Sequence, residues 1–253
     1  MLSWIWQTAD NAFHVAALTV HSLRSTGYVL RRNELLFKQL YEVGNRSLLV
    51  VSVMACFIGM ILALHTGYLF APFNQEGRIG LIGIVIIREF GPVITAFIVA
   101  GRVGSAYAAE IGTMKVYEEV DALTVMGVRP VAYLAAPRLL TCLIMLPVLV
   151  IYADFVAMLG GALVAHTYVG VPFSTFFDVL FNFMHPGGLR DVWRSLAKAF
   201  CFGGIIAVTG CHFGFKTSGG AEGVGRSTTD SVVYSLLAVL IADYFLEKVL
   251  LAL

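Results

Sequence analysis

From Leu48 to Phe70 the chain carries no Asp, Glu, Lys or Arg. A helix of that length matches the hydrocarbon thickness of a lipid bilayer, and inside lipid the backbone must satisfy its own hydrogen bonds. Four further runs follow at 79–101, 139–165, 196–215 and 231–253. The pattern predicts an all-α integral membrane protein with five transmembrane helices, forming one domain over 1–253. Within it, 1–46 is an N-terminal interfacial segment and 47–253 the five-span membrane part. The composition agrees, with 58% apolar and 13% charged residues and a mean hydropathy of +0.83. A net charge of +1 gives no reason to expect nucleic acid as a partner. Cys56, Cys142, Cys201 and Cys211 sit in apolar runs without metal-binding spacing and read as small core hydrophobes, so no metal is expected.

The first 46 residues have neither the basic start of a signal peptide nor an unbroken apolar run, since Arg24, Arg31, Arg32, Glu34 and Lys38 interrupt them. Trp4, Trp6, Phe13 and Phe37 beside that basic side suit a helix in the membrane interface or one packed on the protein's own spans. Lys and Arg concentrate before the first run, between the second and third, and between the fourth and fifth. That bias places the N-terminus in the cytoplasm and the C-terminus on the far side.

The stretch "GAEGVGRS" from Gly220 to Ser227 has the spacing of a phosphate loop with Arg226 in place of lysine. It joins two membrane runs, so it reads as a flexible glycine-rich turn, with Ser227, Thr228 or Asp230 capping the last span. Between the second and third runs, Thr113 to Val125 reads as one short amphipathic helix stopped by Gly127 and Pro130. A stiff cytoplasmic helix of this kind can be held by another protein and transmit its movement.

Within it, Asp121-Ala122-Leu123-x-x-x-Gly127 resembles the EAAxxxG loop by which importer permeases dock into their ATPase subunits, with aspartate for glutamate and without the downstream I-x-L-P. More specifically, "REFGPVITAFIVAGRVGSAYAAEIGTMKVYEEVDALTVMGVRPVAYLAAPRLL", "LPVLVIYADFVAMLGG", "TSGGAEGVGRSTTDSVV" and "SLLAVLIADYFL" resemble the MlaE (YrbE) permease family of bacterial ABC lipid transporters associated with MCE proteins. The resemblance covers nearly all of the chain after Lys38. It implies a non-catalytic permease subunit in the bacterial inner membrane, paired with a second copy of itself, a cytoplasmic ABC ATPase dimer and a periplasmic MCE-domain oligomer. It further implies movement of phospholipid or a related lipid, helping to maintain outer-membrane lipid asymmetry. No cofactor is implied in this chain, ATP being bound by the partner subunit. The coupling residues would be Glu118, Glu119, Asp121, Ala122, Leu123 and Gly127.

Arg88 and Glu89 lie deep in the second run, where a charge costs about 3 kcal/mol on insertion scales. Pro92 lacks the N–H that would bind the carbonyl of Arg88, and Gly91 precedes it, so a kink is expected there. One or both charges, with Lys198, would face a lipid headgroup in a cavity between two copies. The alternative is an interhelical ion pair: Arg88 with Asp154 or Asp243, or Glu89 with Lys198. Met54, Phe57, Ile61, Leu64 and Tyr68 follow helical spacing in the first run and would either line the acyl-chain cavity or pack against other helices. Ala96, Ala100, Gly104, Ala108 and Gly112 recur at every fourth residue, a seam for close helix packing within the protomer or at a dimer axis, with Gly210-x-x-x-Gly214 as a possible partner. The phenylalanine-rich "FSTFFDVLFNFM" reads as a short outer helix. An ion-coupled secondary transporter using Glu89, Asp154 and Asp243 is the alternative of another class, although no internal repeat supports it.

Overall fold

The computed structural model describes residues 33–73, 76–184 and 188–252. The interfacial segment expected over 1–46 lies outside the described residues as far as 32. From Asn33 a single helix, α1 (Asn33–Phe70), runs without a break through the expected boundary at 46/47. Lys38, Glu42 and Arg46 recur at four-residue spacing there, which keeps one polar face on a helix that turns apolar beyond Ser47.

The second helix, α2 (Arg78–Val116), contains two wide π-type turns, at Ile86–Phe90 and Ala100–Gly104. A short helix, α3 (Glu119–Val125), leads to α4 (Val131–Val169), and the phenylalanine-rich stretch forms the short helix α5 (Phe173–Met184). Then come α6 (Gly188–Lys216) and α7 (Gly220–Ala252). Among the described residues, four stretches are long and apolar enough to cross a membrane: Leu36–Phe70, Arg78–Val116, Val131–Val169 and Leu189–Lys216. α7, at 33 residues, has the length of a span and carries Asp243, Glu247 and Lys248 near its end.

Two of the expected local structures differ. Thr113 to Val125 is not one helix: α2 ends at Val116, Glu118 takes a left-handed conformation (φ 60), and α3 starts anew at Glu119. No glycine marks that break, so periodicity carried the helix through it. The Gly220–Ser227 stretch is not a flexible turn but the first turns of α7. The chain reverses just before it, where Gly219 and Gly220 both adopt positive φ. A phosphate loop has no place in this helix, and Ser227 does not cap it; its hydroxyl hydrogen bonds with that of Thr217 at 2.9 Å.

Two apolar clusters hold the bundle. One joins α2, α4 and α6 around Val99, Leu146, Phe202 and Ile206. The other joins α1 and α4 with the start of α2 and with Phe176 of α5. The α1–α4 contact depends on small residues: a Cβ on Gly59 would strike the carbonyl of Ala157, and one on Gly160 the carbonyl of Cys56. The four-residue seam of α2 lies inside the protomer. Ala96, Ala100 and Ala108 are fully buried. A Cβ on Gly210 of α6 would stand 2.9 Å from the carbonyl oxygen of Gly104, and Ser231 of α7 donates to that same oxygen at 3.2 Å. Gly112 closes the seam against Thr217.

Candidate functional site

The π-type turn Ile86–Phe90 inserts extra backbone into α2 just before Gly91 and Pro92, and it carries both Arg88 and Glu89. Glu89 accepts from Lys198 of α6 at 2.8 Å. Arg88 donates to Asp191 of α6 at 2.8 Å, and Arg194 stands 3.8 Å from the other oxygen of that carboxylate. Asp154 and Asp243, the partners expected for Arg88, are not its partners. The reason lies in α6, whose Asp191, Arg194 and Lys198 follow one helical face and meet α2 at this level.

Lys198 is the centre of the cluster. Its side chain is 0% exposed, and Asp243 and Glu247 of α7 approach it at 3.0 and 2.8 Å in addition to Glu89. The ammonium also donates to the carbonyl oxygen of Arg88 at 3.3 Å. A buried cation on an apolar bundle requires such company, since an unpaired charge there is strongly destabilising. Three helices are thus fastened at one end by Arg88, Arg194 and Lys198 against Glu89, Asp191, Asp243 and Glu247. The sequence reading did not single out Asp191, Arg194 or Glu247. The four-residue steps Arg194–Lys198 and Asp243–Glu247 were the available signal.

Asp154 stands apart. It is 7% exposed, and its Oδ1 finds no hydrogen-bond partner among the described residues. That oxygen occupies the space a side chain on Gly91 would need, which ties the glycine to the aspartate across the α2–α4 contact. Beside it a shallow apolar crevice runs between α1, α2 and α4, lined among others by Val51, Ile58, Phe90, Gly91 and Ala157.

The expected acyl-lining stripe faces outward. Met54, Phe57, Ile61, Leu64 and Tyr68 are all exposed, Tyr68 at 83%, so among the described residues no helix of the same protomer covers this face of α1.

At the opposite end, Arg138 of α4 is buried against α2. It donates to Glu110 at 2.7 Å and to the carbonyl of Leu134 at 3.1 Å, with its guanidinium 5.3 Å from the centre of the Tyr107 ring. α3 hangs between the helices joined by this contact. Lys115 at the end of α2 holds Asp121 of α3 through both carboxylate oxygens, at 2.8 and 2.9 Å. Val120 is the buried residue of α3, whereas Tyr117, Val125 and Met126 are exposed beside Glu118 and Glu119. Ala122 is exposed, Leu123 half-buried, and Gly127 adopts φ +75 in the turn that follows.

These features define a multi-pass helical membrane protein with a charged fastening at one end and an exposed connector helix at the other, the class to which transporter permeases belong. The family described as Permease MlaE matches residues 36–249. A probable ABC transporter permease protein of Synechocystis sp. is 39% identical over 245 residues, covering 96% of this chain and 90% of the relative. One of Rickettsia typhi is 39% identical over 217 residues, covering 85% and 83%. The chloroplastic protein TRIGALACTOSYLDIACYLGLYCEROL 1 of Arabidopsis thaliana is 38% identical over 246 residues, covering 97% of this chain and 68% of its own length. The chain belongs to the MlaE permease family and is a multi-pass ABC transporter permease.

Proposed function

We propose that the chain forms, with a second copy, the membrane gate of a transporter moving phospholipid or a related lipid between the inner membrane and a periplasmic MCE-domain oligomer, driven by a cytoplasmic ATPase dimer. The observation that carries this reading is the outward apolar face of α1 together with the apolar crevice that ends at Phe90 and Gly91, one residue from the Glu89 pair. An acyl chain fits both apolar surfaces, and a polar headgroup the charged turn of Arg88 and Glu89 next to them. Arg88 keeps 42% of its side chain exposed despite its bond to Asp191, which leaves donors for such a headgroup. The name of the Arabidopsis relative is itself that of a glycolipid, which favours lipid as cargo.

In this reading α7 is the fifth span, the N-terminus is cytoplasmic, and α3 docks on the ATPase. Tyr117, Val125 and Met126 supply an exposed apolar surface there, flanked by Glu118 and Glu119. The ion-coupled alternative loses two of its three candidate acids, because Glu89 and Asp243 are held by Lys198.

Native mass spectrometry of the complex gently extracted from its own membrane tests the proposal. Two copies of this chain with two ATPase subunits, an MCE oligomer and bound phospholipid are expected. Recovery of the chain without an ATPase, under conditions that preserve other ABC complexes, would overturn it.

A further inference from the structure

Every basic side chain so far placed inside the bundle has its carboxylate: Arg88 and Arg194 have Asp191, Lys198 has three, and Arg138 has Glu110. Arg102 of α2 does not. Its Nη1 donates to the hydroxyl of Ser47, a fully buried residue of α1, at 2.6 Å. The charged group that acts on it is another arginine, Arg46, one position before that serine. Among the described residues, neither guanidinium has a carboxylate at ion-pair distance.

Both arginines line one open cavity of about 60 Å³ between α1 and α2, together with Gln39, Glu42, Tyr107 and Glu110. Of its two acids, Glu110 is engaged by Arg138, and Glu42 stands outside ion-pair distance of both arginines. The depth of the cavity follows from the sequence. Arg46 comes just before the first apolar run, and Arg102 just after the second, so both lie where hydrocarbon gives way to headgroups. Arg46 is exposed and Arg102 half-buried, and neither has a carboxylate at ion-pair distance among the described residues, so both offer free donors at headgroup depth, where the fork geometry of arginine suits phosphate oxygens.

We propose that this cavity holds the phosphate of a membrane phospholipid, clamped between Arg46 and Arg102 at the membrane surface nearer α3. The site is separate from the Lys198 cluster at the other end of the bundle. It rests on the chain being a membrane protein and not on what the transporter carries.

The test uses the purified full-length protein with its native partner subunits and counts retained lipids by native mass spectrometry. The probes are phosphatidylglycerol, a phosphate-free monogalactosyldiacylglycerol, and free glycerol phosphate as competitor. Arg46→Gln is the primary variant, because Arg46 makes no side-chain bond among the described residues and its loss leaves the Ser47 contact intact. Arg102→Gln is the second, and exposed Arg129→Gln is the control. Removing one charge-assisted contact is expected to weaken phosphatidylglycerol retention about tenfold. The galactolipid and the Arg129 variant are expected to show no change. Undiminished retention in Arg46→Gln overturns the proposal, as does an equal loss in Arg129→Gln, which would mean general surface charge. Displacement of the lipid by an equal concentration of glycerol phosphate would make this a free-phosphate site and overturn the lipid assignment. None of these outcomes measures transport, so the proposed function stands or falls separately.

Discussion

Lys198 donates a hydrogen bond to the carbonyl oxygen of Arg88 at 3.3 Å, the oxygen that Pro92, four residues on, cannot engage for want of an N–H. The backbone defect in α2 and the buried ammonium of α6 thus satisfy each other. The same ammonium holds Glu89, so one side chain fixes both the irregular turn and the acid that turn presents.

Replacing Lys198 by methionine leaves Glu89, Asp243 and Glu247 facing one another without a cation. Breaking a buried ion pair from one side costs about 3–5 kcal/mol. A large fall in melting temperature is expected in detergent, and adding Glu89→Gln should restore part of it. Equal melting temperatures for Lys198→Met and wild type would show that the cluster does not fasten the helices.

Gly59 and Gly101 should respond oppositely to alanine. At Gly59 the new methyl group meets the carbonyl of Ala157, so α1 and α4 must separate. At Gly101 nothing lies within 4 Å, and a helical glycine replaced by alanine gains about 0.5–1 kcal/mol. Fluorescence-detected size-exclusion chromatography after graded heating is expected to rank Gly101→Ala at or above wild type and Gly59→Ala well below it.

Gly104→Leu should impair assembly of the fold rather than lipid chemistry. The space above Gly104 is bounded by Ile206 at 3.4 Å and Ser231 at 3.8 Å, room for a methyl group but not for a leucine. Lower yield of folded protein is expected, and unchanged yield with unchanged transport would count against the seam.

Glu118 holds φ at 60, a conformation that glycine adopts freely and a branched side chain does not. Glu118→Gly is expected to leave the melting temperature unchanged or raise it, and Glu118→Val to lower it by a few degrees. The opposite order would show that the bend between α2 and α3 is not held as described.

Asp121→Lys places two like charges where Lys115 now holds a carboxylate, and it removes the tether of α3 to α2. ATP turnover of the assembled complex is expected to become insensitive to lipid, or the ATPase to dissociate. Wild-type coupling in this variant would remove α3 from the ATPase interface.

Much of this arrangement was readable without coordinates. Apolar run length predicts five spans, and among the described residues four of them are helices long and apolar enough to cross a membrane, because hydrocarbon thickness and helical rise leave little choice. The fifth run lies in α7, outside that set, with Asp243, Glu247 and Lys248 near its end. Proline chemistry placed the irregularity of α2 beside Arg88, since the missing N–H is a property of the residue itself. The Glu89–Lys198 pair was one of a short set of options, because few charges exist in the runs and each needs a partner. Other features were not readable. The break at Glu118 has no glycine or proline to announce it; it follows from docking Val120 and tying Asp121 to Lys115. Arg88 chose Asp191 over Asp154 and Asp243 because of the rotation of α6 against α2, which depends on how Gly210 seats on Gly104 across 106 residues of sequence. Local residue chemistry determined which segments are helices and which groups need company. Only the packing of those helices, set by ångström-scale contacts between distant small residues, decided which groups keep it.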